Sequence, residues 1–454
     1  MKHITKYQDK HILVLGLGKS GFETAKLLQQ LGAIVTVNDG KDVSQTEECH
    51  ALEALNIKVV SGEHPEDLLN DIDLIVKNPG IPYKIPFVQK ALEKNIPIIT
   101  EVELSFEINE GKTIAITGTN GKTTVTSLIG DMFKYSNQQG LLSGNIGFVA
   151  CKVAQMAKPE DTLITELSSF QLMGIETYQP HIAVITNIYS AHLDYHKNQD
   201  EYVEAKLNIV KNQTENDYLI FNEKQKEILI NRPIKSKIVY FSTSPLKEGA
   251  YIKDDIIYFN DEKIISVDDI VLPGAHNLEN ILASIAACKL SNISNESIIH
   301  TLKTFEGIKH RLQFIKTIQG VKYYNDSKAT NTLASQFALS AFQQPIHWLC
   351  GGLDRGNGFE DLNQYISKVV HMYIFGETTN KLVEFAEQHQ IPYEVCKDVK
   401  DAVNKTAQFT NEGEVVLLSP ACASWDQYPN YEMRGDAFIN QVKLMVKGEA
   451  IDSK

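Results

Sequence analysis

What the chain lacks narrows it first. No run approaches the roughly 20 apolar residues of a membrane-spanning helix, and Met1 to Lys10 is polar, without the apolar core of a secretory signal. Cysteine is sparse: Cys49, Cys151, Cys288, Cys350, Cys396 and Cys422 are scattered, with no C-x-x-C pair. That argues against a disulfide framework or a zinc site and fits reduced thiols in the cytoplasm. Positive charge is also short, 44 Lys and Arg against 57 Asp and Glu, a net −13. A general binder of nucleic acid or membrane surfaces is not expected, and any anionic ligand must be held by local basic groups. There is no internal repeat or low-complexity tract. What remains is an ordinary globular composition, 43% hydrophobic and 22% charged, over 454 residues. At roughly 100–200 residues per domain, about two to four domains are expected.

The most informative stretch is Thr117-Gly118-Thr119-Asn120-Gly121-Lys122-Thr123-Thr124. It follows the apolar run Thr113 to Ile116, read as a buried strand, and enters Val125 to Ile129, read as the start of a helix. Strand, glycine-rich turn, Lys, hydroxyl and helix form the arrangement that holds a nucleoside triphosphate. Backbone N–H groups and the helix N-terminus face the phosphates, Lys122 reaches the β- and γ-phosphates, and Thr123 ligates Mg²⁺. The usual G-x-x-x-x-G-K-[ST] spacing would put glycine at Ile116; here Gly118 is the early glycine, so the loop is a shortened variant.

Three α/β units follow from the strand-like runs. The first opens with His11 to Leu15, then Gly16-Leu17-Gly18-Lys19-Ser20-Gly21, a helix to Leu31, and a strand ending at Asn38-Asp39. This is the dinucleotide fingerprint in its required context and by itself suggests NAD. Asn78-Pro79-Gly80 lies at a further strand's C-terminal end, on the edge where open α/β sheets bind ligands. The second unit holds the phosphate loop, further strands to Phe241 and a hairpin excursion over 245–272. The third begins near residue 308 and alternates strands with helices.

Polar residues cluster after strands. Glu166 ends an apolar strand, where a carboxylate suits Mg²⁺ or caps a helix. His192 and His196 are expected to share a helix face; imidazole is a poor Mg²⁺ ligand, so a zinc pair or an ordinary histidine stay open. Lys206 reads as any helical lysine. Asn277 and Asn280 cap a helix start or point at a purine. His310-Arg311, Asn325-Asp326-Ser327-Lys328-Ala329-Thr330, the Asp354-Arg355 loop and the Ser419–Gln427 segment form a polar rim in the third unit.

Gly-Thr-Asn-Gly-Lys-Thr-Thr, Thr-Glu-Leu-Ser-Ser-Phe-Gln-Leu, the His192 segment, Gly-Ala-His-Asn-x-x-Asn, His-Arg and Asn-Asp-Ser-Lys-Ala-Thr-Asn, in this order and spacing, resemble the Mur ligases. These are ATP-dependent enzymes that add amino acids to the peptidoglycan precursor, and the resemblance covers essentially the whole chain. Leu-Ser-Pro-Ala-Cys-Ala-Ser-Trp-Asp-Gln-Tyr with Arg434-Gly435-Asp436, and the short N-terminal domain, are most similar to the members that add D-glutamate.

The resemblance implies an α/β protein of three domains: Rossmann-like over 1–102, P-loop NTPase-like over 103–307 and Rossmann-like over 308–454. The first would hold the UDP of UDP-N-acetylmuramoyl-L-alanine, not NAD, through Gly18, Lys19, Ser20, Asn38, Asp39, Asn78 and Gly80, with Asn145 and His192 also on the precursor. ATP would lie on Gly118 through Thr124, Asn277, Arg311 and Asp326. Two Mg²⁺ ions would be held by Thr123, Glu166, His192 and a carbamylated Lys206. D-glutamate would meet Lys328, Thr330, Ser424 and Tyr431, the last standing where the family more often has Phe. Lys122, Lys206, His192 and Lys328 are the expected catalytic groups. Asp354 and Arg355 align less securely. A cytoplasmic monomer acting on small molecules is expected. Rivals are an NAD-dependent dehydrogenase, a P-loop switch, and a Mur-family or folylpolyglutamate-type ligase with another amino acid acceptor.

Overall fold

The computed structural model describes residues 1–189 and 196–452. They form two compact units, Met1–Asp269 with Glu279–Thr301, and Ile270–Leu278 with Leu302–Lys454.

The first unit carries two sheets. In the N-terminal one, β1 (His11–Leu15), β2 (Ile34–Asp39), β3 (Lys58–Ser61), β4 (Leu74–Lys77) and β5 (Ile98–Ile99) run parallel in the order β3-β2-β1-β4-β5. The fingerprint glycines work as their spacing predicts. A Cβ at Gly21 would stand 2.0 Å from the Gly16 carbonyl oxygen, so only glycine lets the helix Lys19–Gln30 pack so closely on the turn.

The second sheet comprises β6 (Lys112–Thr117), β7 (Gly140–Gly144), β8 (Thr162–Glu166), β9 (Ile182–Ile185), β10 (Tyr218–Asn222), β11 (Lys237–Ser242), β12 (Ala250–Lys253), β13 (Ile256–Phe259) and β14 (Glu262–Ser266). Its order is β14-β13-β12-β11-β10-β9-β6-β8-β7. The expected hairpin excursion is a three-stranded extension: β12 joins β11 in parallel, and β13 and β14 follow antiparallel. Near the expected boundary at 102 the helix Glu101–Ile108 is shared: Leu104 and Ile108 lie in one core with Val14, Leu28, Cys151 and Ala154. Buried Glu103 adds to this, accepting the N–H groups of Glu176 (2.9 Å), Thr177 (2.7 Å) and Tyr178 (3.2 Å).

The second unit is built on β15 (Gln313–Ile318), β16 (Val321–Asn325), β17 (Ile346–Gly351), β18 (Val369–Phe375), β19 (Tyr393–Val395) and β20 (Val415–Leu418), in the order β15-β16-β20-β17-β18-β19. All but β15 run parallel. Apolar clusters fill both faces, Trp348 and Leu417 on one, Leu349 and Leu418 on the other. That is why these strands read as unbroken hydrophobic runs.

Candidate active site

β6 delivers the chain into the phosphate loop with Gly118 at φ +148° and Gly121 at φ +82°, conformations that side chains rarely adopt. Space is also closed to a side chain there: a Cβ at Gly118 would lie 1.9 Å from Thr186 Oγ1, and one at Gly121 would lie 2.1 Å from Asn280 Oδ1. Gly121 ends the loop and the helix Lys122–Lys134 begins, with Thr123 half-buried and Thr124 buried in its first turn. The loop is braced from the end of β9, where Asn187 accepts the Asn120 N–H (2.9 Å) and Thr186 donates to the Asn120 carbonyl (2.6 Å). The Thr119 and Tyr202 hydroxyls are 3.0 Å apart.

Lys206 is the departure from what its sequence context suggests. It sits on the helix Gln199–Leu207 with 1% of its surface exposed and donates to the Gly118 carbonyl (2.7 Å). Lys122 donates to that same carbonyl (2.9 Å) and to Thr119's (2.9 Å). Burial, then the nearby Lys122 charge, push the Lys206 ammonium well below the ordinary lysine value. Glu166 ends β8, which pairs with β6. Its side chain is buried; Asn145 donates its amide to Oε1 (2.9 Å), while Oε2 has no hydrogen-bond partner. A buried carboxylate oxygen left open, next to a phosphate loop, suits a hard cation.

His192 lies outside the described residues. His196 is not on a helix, as pairing with His192 would require; it precedes the helix Gln199–Leu207, buried, with Nε2 2.9 Å from Ser169 Oγ. Its ring stacks on Phe170. The helix begins only at Gln199, with Asn198 as its N-cap, so His196 lies outside the helical spacing assumed for the pair. Among the described residues no three His, Cys, Asp or Glu side chains are grouped as a metal site.

At the edge of the first sheet, Gly18, Lys19 and Gly80 are exposed and Ser20 is half-buried. Asp39 accepts the Leu17 N–H (2.8 Å) and the Lys41 N–H (2.9 Å), and Asn78 donates towards Ser20 Oγ (3.4 Å). Asn38 is wholly buried, its amide donating to the Val60 (3.0 Å) and Glu63 (2.8 Å) carbonyls, so it braces this edge from beneath.

In the second unit, Asn277 donates to the Pro273 carbonyl (2.6 Å) near the start of the helix Ala275–Leu290. Buried Asp326 accepts the Leu312 N–H (3.1 Å) and the Ser419 hydroxyl (3.0 Å); burial pushes its carboxyl up to about 7, against the lowering effect of these bonds and of Arg311. Lys328 is exposed, its ammonium 5.7 Å from the centre of the Tyr431 ring. Ser424 is buried with its hydroxyl unpartnered. A cavity of about 50 Å³ is lined by Thr330, Asn331, Asp354, Arg355 and Cys422 among others. Asp354 pairs with Lys381 (2.8 Å), and the Arg355 guanidinium stacks 4.9 Å from the Trp425 ring.

Two residues escaped the sequence-level site. Asn187 was signalled only by its place at the end of an apolar strand. Arg434 is 1% exposed and ties the rim together, donating to Ser327 Oγ (3.1 Å) and to the carbonyls of Ser327 (3.0 Å), Cys422 (2.9 Å) and Gly351 (3.4 Å). An arginine in a helix gives no sequence sign of such burial.

Fold and site together define a phosphate-loop α/β protein with Rossmann-like sheets before and after the loop domain. Three family descriptions match in order: "Mur ligase MurD-like, N-terminal domain" over residues 10–100, "Mur ligase middle domain" over 116–288, and "Mur ligase, glutamate ligase domain" over 310–422. The chain belongs to the Mur ligase family. It is 68% identical over 445 residues to a relative from Macrococcus caseolyticus, covering 98% of this chain and 100% of that one. It is 58% identical to one from Staphylococcus carnosus (96% and 97% covered) and 56% identical to one from Staphylococcus aureus strain Newman (98% and 99% covered). Each of these is named UDP-N-acetylmuramoylalanine--D-glutamate ligase. Among solved structures the fold is similar to a UDP-N-acetylmuramate-alanine ligase from Thermotoga maritima (TM-score 0.56, 16% identity, 96% and 99% covered). It is also similar to a MurF ligase from that organism in complex with ADP (TM-score 0.55, 15% identity, 98% of each chain covered).

Proposed function

We propose that this enzyme joins D-glutamate to UDP-N-acetylmuramoyl-L-alanine at the expense of ATP, giving ADP and phosphate, in peptidoglycan synthesis. The observation that carries the chemistry is the convergence of two lysines on the Gly118 carbonyl, one buried, beside a strand ending in a carboxylate with an open oxygen. A buried lysine held below its ordinary value is available as a neutral amine. Reaction with CO₂ turns it into an anionic oxygen ligand, which relieves its repulsion with Lys122. Thr123, Glu166, His192 and carbamylated Lys206 are the proposed Mg²⁺ ligands, two ions in all. Mg²⁺ bound there supplies charge neutralisation for phosphoryl transfer.

The phosphate loop from Gly118 to Thr124 orients the triphosphate and Lys122 offsets charge on the transferring group, with Asn277, Arg311 and Asp326 assigned to the rest of ATP. The L-alanine carboxylate attacks the γ-phosphorus, whose bond to the β–γ bridging oxygen breaks so that ADP leaves and an acyl phosphate forms; the D-glutamate amine, once deprotonated, attacks the acyl carbon and expels phosphate. Gly18, Lys19, Ser20, Asp39, Asn78 and Gly80 are the proposed UDP rim, braced by Asn38, with Asn145 and His192 towards the rest of the precursor. Lys328, Thr330, Ser424 and Tyr431 are assigned to D-glutamate, the open Ser424 hydroxyl supporting this. All six cysteines are free and buried; a cytoplasmic, monomeric enzyme is proposed. The test is isotopic: ¹⁸O in the L-alanyl carboxylate is expected in the released phosphate. Unlabelled phosphate during turnover would contradict the acyl phosphate.

A further inference from the structure

Lys77 closes β4 with only 1% of its surface exposed. It is the register partner of Leu15 on β1. In the order β3-β2-β1-β4-β5, the gap between β1 and β4 is the switch point where open α/β sheets take ligands. The Lys77 ammonium donates to the carbonyls of Asn78 (3.1 Å) and Ile81 (2.7 Å), and Nζ lies 4.6 Å from the centre of the Tyr83 ring. Among the described residues no carboxylate pairs with it, and burial alone moves it down to about 8. A buried cation without a counter-ion is costly, and an apolar chain of equal length would fill the same space without that cost.

Packing therefore does not account for a lysine here. What the cation does is bridge both ends of the loop from Asn78 to Ile81. Within that loop Asn78 accepts the Gly80 N–H (3.0 Å) and its amide points to Ser20. Its Cβ closes the space over Gly16, where an added Cβ would lie 2.8 Å away.

We infer that Lys77 is a positioning residue of the nucleotide rim, fixing the loop that carries Asn78 and Gly80 and setting a buried positive charge at the switch point for the precursor's diphosphate. This rests on reading the first sheet as the UDP site. The test compares full-length wild type, Lys77→Met and Lys77→Arg in steady-state kinetics, with each substrate varied in turn. For Lys77→Met the KM for UDP-N-acetylmuramoyl-L-alanine is expected to rise about tenfold, with kcat and the KM values for ATP and D-glutamate within about twofold. Lys77→Arg should recover most of that loss. An unchanged precursor KM in folded Lys77→Met overturns the inference, as does an equal loss for all three substrates with a lowered Tm, the mark of a merely structural role. Should Lys77→Met not fold, wild type with ¹³C in its lysine methylenes decides, the Lys77 signal being the one missing from Lys77→Arg. That signal is expected to shift with UDP and not with uridine; no shift with bound UDP overturns the inference. Failure of UDP to bind wild type at all would instead remove the nucleotide site itself, and the role of Lys77 with it.

Discussion

Burial shifts the titration of Lys206 and of Asp326 away from the values each has in water, and each carries a prediction. Burial and Lys122 lower the Lys206 value, the direction that the proposed carbamylation by CO₂ requires. Lys206→Ala is expected to lower kcat at least about a hundredfold, and bicarbonate with a short carboxylic acid should restore part of it. No restoration would count against the carbamate. Asp326 lies the other way, its carboxyl raised from 3.8 to about 7 by burial. An acid raised on folding binds more protons folded than unfolded, so its contribution to stability falls as pH rises from about 4 to about 7 and stays low above. Asp326→Asn keeps an acceptor for the Leu312 N–H and removes the charge. It should raise stability at pH 8 by about 1–2 kcal/mol and flatten the fall between pH 4 and 7, while turnover is lost. Denaturant unfolding across pH, with an unchanged profile in the variant, would refute this.

At the scale of elements, rigidity of loops is what both units share. The phosphate loop holds Gly118 and Gly121 at positive φ, with no room for a methyl. Gly118→Ala should cost about 1–3 kcal/mol of stability and abolish detectable ATP binding by calorimetry; retained affinity would mean the loop is more pliant than its geometry. Arg434 does for the second unit's rim what those glycines do for the loop, joining the turns after β16 and β20 to the end of β17. Arg434→Met leaves several carbonyls unpaired and is expected to destabilise by about 2–4 kcal/mol. The glycine turns and apolar parallel strands were legible because conformation and burial act on residue types directly. Lys206 was singled out only by the family resemblance and not by its own context, since the burial of one helical lysine depends on which distant loop meets it. β7, a Gly-Leu-Leu-Ser-Gly segment, and β15, with polar residues between its apolar ones, lacked strand composition. The helical spacing assumed for His192 and His196 missed that the helix starts only after Asn198, its N-cap.

Across the whole molecule, the proposed function requires an acidic chain to hold anionic substrates on donors concentrated at sheet edges. The two proposed nucleotide sites should therefore report separately on thermal stability. UDP is expected to raise the Tm of both wild type and Lys122→Ala, and ATP with Mg²⁺ that of wild type alone, the gain at a hundredfold excess over Kd being about 2.7 kcal/mol. NADH should leave both unchanged. Stabilisation by NADH would revive a dehydrogenase reading of the first sheet. The most direct measurement is phosphate release from ATP with UDP-N-acetylmuramoyl-L-alanine and, in turn, D-glutamate, L-glutamate, L-alanine or no amino acid. Release with D-glutamate alone is the expected result. Release with another amino acid in its place, or release indifferent to the amino acid, would contradict a D-glutamate ligase.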